Sequence, residues 1–206
     1  MKRLYLLRHG QTEFNVKKLV QGRCDSPLTD LGRKQAGMAA AWLKAHGVVP
    51  DKVVSSSLGR AMDTASLVAT ELLGADADVE PCEGIIERCY GTFEEGPHDA
   101  LPTDVWDPGE DLVPFGGEGS RALQERMVDT LTNLISAESV ETLLAVSHGS
   151  ASRQFIKAAA PEGFELPTKL PNCAIMIFGF DDAREEDDTP QCKFTLQQIV
   201  DPQQSH

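Results

Sequence analysis

Short, unbroken apolar runs alternate with helical periods along this chain. Residues 4–7, 53–55, 143–146 and 174–178 are, apart from Ser55, apolar at successive positions rather than at every second one. A strand of that kind is buried on both faces, as in parallel sheets covered by helices. Phe194–Val200 alternates more and reads as a last strand at a sheet edge. Between these runs the period changes to that of a helix. Ala36, Ala39, Ala40 and Leu43 share a face behind Thr29, a good N-cap. Ala61, Ala65, Val68 and Leu72 form a second stripe, and Leu123, Met127, Leu131, Leu134 and Ile135 a third, with Ser120 as its candidate cap. A short helix over 150–159 is stopped by Pro161.

Strand–helix alternation predicts right-handed βαβ units. The fold class expected is α/β: a three-layer sandwich with a mostly parallel central sheet flanked by helices. The 206 residues suit a single domain, and no linker divides them. Two segments break the alternation. Residues 92–119 are rich in Gly, Pro and acids and predict a lid-like excursion over one end of the sheet. Residues 181–188 form an acidic run, expected to be a solvated connection between the last two strands.

Composition narrows the partners. With 19 Lys and Arg against 32 Asp and Glu, the net charge is −13. Such a surface repels phosphodiester backbones and anionic lipid, so neither nucleic acid nor a membrane is expected as a partner. The N-terminal apolar stretch ends at Arg8, too short for a secretory signal. Five cysteines without C-x-x-C spacing argue against a disulfide framework and a thiolate metal site. They are expected to be buried, inert thiols in a cytoplasmic protein. A homodimer is compatible with the sequence.

Chemistry-bearing residues follow three of the buried runs. Residues 4–7 lead into Arg8-His9-Gly10, residues 53–57 into Leu58-Gly59-Arg60, and residues 143–147 into His148-Gly149. Ligands of open α/β sheets bind beyond the carboxyl ends of the strands, so two His and two Arg from distant positions are delivered to one place. Guanidinium forks match phosphate oxygens, and a helix start at Arg60 adds free N–H donors. A neutral imidazole there can attack phosphorus and split one displacement into two, while a nearby carboxylic acid protonates the leaving alkoxide.

The ordered series Leu7-Arg8-His9-Gly10-Gln11-Thr12-Glu13, Asn15, Gln21-Gly22-Arg23, Pro27-Leu28-Thr29-Asp30-Leu31-Gly32, Ser55-Ser56-Ser57-Leu58-Gly59-Arg60-Ala61, Glu87-Arg88-Cys89-Tyr90-Gly91 and Ser147-His148-Gly149 resembles the histidine phosphatase superfamily, which includes the cofactor-dependent phosphoglycerate mutases. The resemblance implies a phosphoglycerate mutase-like fold and a small-molecule phosphate ester as substrate. It implies that His9 is the phosphorylated nucleophile, that Arg8, Arg60 and His148 hold the phosphoryl group, and that Asn15 donates to it. Glu87 becomes the proton donor and then the base that activates water. Gln21, Gly22, Arg23 and Gly149 are candidate substrate-binding positions, with Gln21 and Arg23 also readable as ordinary loop residues. No metal and no organic cofactor is implied.

The superfamily holds both phosphatases and mutases. Residues 89–120 contain no Lys or Arg but eight acids, Glu94, Glu95, Asp99, Asp104, Asp107, Glu110, Asp111 and Glu118. The mutases use Arg and Lys from this region to bind a carboxylate and a second phosphate. An acidic excursion disfavours such polyanions, so the expected reaction is hydrolysis of a phosphomonoester. The alternatives are a phosphoglycerate mutase and a non-catalytic module that binds a phospho-ligand. Glu118, in Gly116-Gly117-Glu118-Gly119-Ser120, departs from the family's Gly-Gly-Glu-Ser pattern, which leaves its role open. Glu87 reads either as the catalytic acid or as a surface partner of Arg88. Trp106 reads as a wall of the substrate mouth or as an anchor, and His98 as a residue lining the lid or, more readily, a solvent-exposed one.

Overall fold

In the computed structural model, which describes residues 1–182 and 192–204, one six-stranded sheet lies between two helical layers. The elements in chain order are β1 (Lys2–Arg8), α1 (Glu13–Lys17), α2 (Asp30–Ala45), β2 (Lys52–Ser55), α3 (Gly59–Leu73), β3 (Glu80–Pro81), α4 (Ser120–Ile135), β4 (Thr142–Ser147), α5 (Gly149–Ala159), β5 (Ile175–Phe180) and β6 (Phe194–Val200). The sheet order is β3-β2-β4-β1-β5-β6.

Alternate residues of each strand feed opposite cores. On one face Leu7, Val53, Leu144 and Ile175 meet the alanine-rich stripes of α2 and α3. Small side chains at Ala36, Ala39, Ala40, Ala61 and Ala65 let those two helices approach closely. On the other face Leu6, Val54, Leu143 and Phe178 meet Leu123, Met127 and Leu131 of α4 and Phe155 of α5. Phe155, Phe178 and Phe194 pack edge to face there, with Phe155 4.8 and 5.0 Å from the other two ring centroids. A strand whose residues serve two cores must be apolar throughout, which is the physical origin of the unbroken runs.

The sheet is mostly parallel, with an antiparallel pair of strands at one side. β3, β2, β4 and β1 pair in parallel, but β5 pairs antiparallel to β1, and β6 antiparallel to β5. Helix α5 begins beyond the carboxyl end of β4 and carries the chain to the opposite end of the sheet. Residues 160–174 climb back, so β5 starts level with the end of β1, Ile175 opposite Leu7. A doubly buried run has the same hydrophobic pattern in either direction. β6 forms one edge, while the other, two-residue strand β3 is too short to show a period.

The first turn of α4 also differs in detail. Gly119 is its N-cap, and Ser120 is its first residue. Thr29 caps α2, accepting from the Gly32 N–H at 3.0 Å. Among the cysteines only Cys173 is buried; Cys24, Cys82, Cys89 and Cys192 are partly exposed. Of the acidic run 181–188, positions 183–188 lie outside the described residues.

Candidate active site

Three adjacent parallel strands, β2, β4 and β1, end at the same level, and the chain beyond each supplies part of one cavity. Arg8 closes β1 and His9 follows it; Arg60 lies in the first turn of α3; His148 caps α5. The ring centroids of His9 and His148 stand 5.2 Å apart. Arg60 and His148 are 1% and 0% exposed, and Arg8, His9 and Glu87 are buried as well. The turn after β1 tolerates little bulk, because a Cβ on Gly10 would lie 2.5 Å from the carbonyl oxygen of Gly32 at the start of α2.

His9 is held in one tautomer. Its Nδ1 lies 2.7 Å from the Gly10 carbonyl, which can only accept, so Nδ1 carries the proton and Nε2 the lone pair. Burial, and then the charges of Arg60 and Arg8, hold its pKa well below the usual histidine value, so the ring is neutral near pH 7. Burial, Arg60 and His9 push His148 in the same direction. Its Nε2 lies 2.7 Å from the Ser56 hydroxyl.

The two arginines are charged and anchored on backbone carbonyls. Arg8 is lowered to about 10 by burial, against the opposing pull of Glu87, and donates to the Leu170 carbonyl. Arg60 donates from both terminal nitrogens, to Gly22 and to Cys24, each at 2.7 Å. Asp25 lies 3.5 Å from it. Arg8 Nε, Arg60 Nε and His148 Nδ1 are buried without a hydrogen-bond partner among the described residues. Unpaired buried polar groups are costly, and the two guanidinium nitrogens belong to residues of the cavity wall, where they suit an oxyanion; His148 is not on that wall, its ring centroid standing 5.2 Å from that of His9.

Asn15 enters through a capping box. Its backbone N–H donates to Thr12 Oγ1 while its Oδ1 accepts from the Thr12 N–H, each at 3.2 Å. Oδ1 also accepts from Asn172 Nδ2 at 3.2 Å. With its oxygen occupied, Asn15 offers Nδ2 as a donor on the cavity wall. Asn172 donates its other hydrogen to the His9 carbonyl at 3.1 Å, and its own carbonyl accepts from Gln203 at 3.1 Å. Sequence reasoning missed Asn172. It lies on the return of the chain to β5, and only the antiparallel entry of that strand brings it beside β1.

Glu87 lines the cavity at the start of α5. One carboxylate oxygen accepts from the N–H groups of Arg88 at 2.8 Å and Ala151 at 2.9 Å, the other from Ser150 at 3.2 Å. Three of about four lone-pair directions are occupied, leaving one for a transferable proton. Arg88 is not its ion-pair partner. The Arg88 guanidinium is fully buried and reaches Ser150 Oγ, Ser120 Oγ and the Glu118 carbonyl, tying the end of the 92–119 segment to α5.

A cavity of about 60 Å³ is lined by Arg8, His9, Asn15, Arg60, Glu87 and Gly149, and by Gln21 and Gly22. Arg23 lies outside that wall, half-exposed, 3.8 Å from Glu118. Glu118 is also outside it, taking two bonds from Arg126 at 2.9 and 2.8 Å. Trp106 is part of the wall, its ring 5.0 Å from the Arg8 guanidinium carbon. A Cβ on Gly149 would lie 2.7 Å from the same indole. His98 lines the cavity too and is only partly exposed. Among the described residues no three His, Cys, Asp or Glu side chains are grouped to hold a metal ion, and no helix is long and apolar enough to cross a membrane.

Residues 4–189 match the family model of the histidine phosphatase superfamily, branch 1. The chain belongs to the histidine phosphatase superfamily. Relatives of this superfamily member include a broad-specificity phosphatase of Saccharomyces cerevisiae, 33% identical over 75% of this chain and 69% of its own length. A probable phosphoglycerate mutase of Cronobacter sakazakii is 32% identical over 85% of this chain and 83% of its own. Among solved structures, a phosphoserine phosphatase from Entamoeba histolytica aligns with a TM-score of 0.74 at 27% identity, covering 98% of both chains. A phosphoglycerate mutase from Bacillus anthracis shares the fold, with a TM-score of 0.78 at 21% identity over 98% of this chain and 94% of its own. This histidine phosphatase superfamily protein is therefore an enzyme of phosphate esters on a phosphoglycerate mutase-like fold.

Proposed function

We propose that this enzyme hydrolyses small-molecule phosphomonoesters through a phosphohistidine on His9. The observation that carries the reading is the fixed tautomer of His9, a neutral ring with its lone pair on Nε2, beside buried guanidiniums with unpaired donors and the buried imidazole of His148.

In the first step the Nε2–phosphorus bond forms and the bond from phosphorus to the ester oxygen breaks. The departing alkoxide takes the proton of the Glu87 carboxylic acid. Arg8, Arg60 and His148 face the charge spread over the equatorial oxygens, with Asn15 Nδ2 as a further donor. A bound phosphoryl dianion opposes the two arginines electrostatically, so it favours protonation of His148. In the second step Glu87, now a carboxylate, takes a proton from water as the water oxygen attacks phosphorus. The Nε2–phosphorus bond breaks, phosphate leaves, and both side chains return to their starting forms. No step calls for a metal, and rates are expected to be unchanged by EDTA.

Hydrolysis is favoured over the mutase reaction because Arg8 and Arg60 are the cationic side chains of the cavity wall, and both belong to the phosphoryl end. The 92–119 segment, read as a lid, adds none. The free thiols of Cys24, Cys82, Cys89 and Cys173 favour a reducing, cytoplasmic location. The test is phosphate release from an aryl phosphate, set beside interconversion of 2- and 3-phosphoglycerate with added 2,3-bisphosphoglycerate. Faster interconversion than release makes the enzyme a mutase. Phosphate binding without turnover makes it a binding module.

A further inference from the structure

Beyond the phosphoryl end, the cavity is walled by Leu19, Val20, Tyr90, His98, Val105 and Trp106. The polar tips of Tyr90 and His98 are turned to backbone. Tyr90 donates its hydroxyl proton to the Val105 carbonyl at 2.7 Å. His98 Nε2 lies 3.1 Å from the Leu19 carbonyl, so it is the protonated nitrogen. The backbone of this wall is paired too. Val20 donates to Gly96 at 2.8 Å, Glu95 to Val20 at 2.9 Å and His98 to Lys18 at 3.1 Å. Burial lowers the His98 pKa, so its ring is a neutral surface near pH 7. What remains for the ester's leaving group is aliphatic and aromatic area, with the amide of Gln21 beside it.

We infer that the preferred leaving group is an uncharged, apolar alcohol or phenol seated against Leu19, Val20, Val105 and Trp106. This deepens the phosphatase reading and rests on it. A carboxylate or second phosphate in that position would lose its water and find no Lys or Arg on the wall to pair with, since Arg8 and Arg60 are committed to the phosphoryl end and Lys18 and Lys169, whose charges act on His98, do not line the cavity. An apolar group there releases water from both surfaces. Trp106 limits the slot, its ring lying near both the Arg8 guanidinium and Gly149.

The test compares kcat/KM for phenyl phosphate, 3-phosphoglycerate and phosphoserine. Phenyl phosphate is expected to lead each anionic ester by roughly 100-fold, the scale set by an unmatched charge in an apolar pocket. In Val105→Lys, a partly exposed wall position, the lead over 3-phosphoglycerate should shrink about 10-fold through a gain on the anionic ester. Leu19→Arg repeats the change from another wall position if the first variant does not fold. Equal rates, a preference for the anionic esters, or an unchanged ratio in the folded variant would overturn the inference. Calorimetry with phenylphosphonate and phosphonoacetate separates the two readings. Tighter binding of phenylphosphonate supports the slot whatever the turnover, and tighter phosphonoacetate refutes it. Binding of phenylphosphonate without release of phosphate from phenyl phosphate fails the phosphatase reading alone.

Discussion

The two ends of the cavity are built differently. The phosphoryl end stands on the carboxyl ends of β1, β2 and β4, and its side chains are fixed by backbone carbonyls: Gly10 for His9, Leu170 for Arg8, Gly22 and Cys24 for Arg60. The leaving-group end stands on short turns, with 3-10 segments at Gly91–Phe93, His98–Ala100 and Val113–Phe115. That end is fastened at a few points. Glu94 accepts from the N–H groups of Arg23, Cys24 and Tyr90, Asp107 pairs with Lys157 at 2.5 Å, and Arg88 spans from Ser150 to Ser120. Rigid strand ends suit chemistry that tolerates little misplacement, while loops suit a wall that changes with the substrate.

The largest effect should come from the phosphoryl end. His9→Ala is expected to reduce phosphate release by at least ~10⁴-fold with its circular dichroism unchanged, as loss of a nucleophile does elsewhere. A variant that kept its rate would move the chemistry away from β1. Glu87→Gln should cost about 10²–10⁴-fold, the range of acid–base catalysis. The loss should be greatest for alkyl esters, whose alkoxide needs the proton, and phosphoenzyme should accumulate with p-nitrophenyl phosphate. Equal losses for both ester types would remove Glu87 as the proton donor.

Asn172 tests whether the rigidity matters. Asn172→Asp sets a carboxylate against the Asn15 oxygen and the His9 carbonyl. KM should rise roughly 10-fold with kcat changed less, because a donor to bound phosphate is turned away. A pure loss of stability would leave KM intact. Trp106→Ala probes the other end. The phenyl phosphate preference should fall severalfold, while inhibition by inorganic phosphate shifts by no more than about fivefold, the worth of one exposed cation–π contact.

The smallest effect is on stability. His9 and His148 both have pKa values lowered by burial and by the arginines. Above about pH 6.5 each is neutral in the folded and the unfolded chain. As pH falls below that value the unfolded chain binds protons that the folded chain does not. Stability should then drop by about 1.4 kcal/mol per pH unit for each ring. Thermal melts of the ligand-free protein between pH 7.5 and 5.5 should show the slope, and His9→Asn with His148→Asn should reduce it to the smaller share left by His98. A melting temperature independent of pH in this window would contradict the assigned neutral rings.

The sequence determined the alternation of strands and helices, the two cores, and the meeting of Arg8, His9, Arg60 and His148, because apolar periodicity is local and parallel strands align their ends. Thr29 was legible as a cap for the same local reason. Tertiary structure decided the rest. A doubly buried run carries no direction, so the antiparallel entry of β5, and with it Asn172, followed from the path of residues 160–174. Arg88 turned from Glu87 toward Ser120, and Glu118 toward Arg126, because buried guanidiniums go where several oxygens converge. The apolar wall of Leu19, Val20, Val105 and Trp106 joins segments far apart in the chain. Its composition has no period; the pairing of 18–20 with 95–98 brings in Leu19 and Val20, while the Tyr90 hydroxyl on the Val105 carbonyl and the Arg8–Trp106 contact bring in the rest.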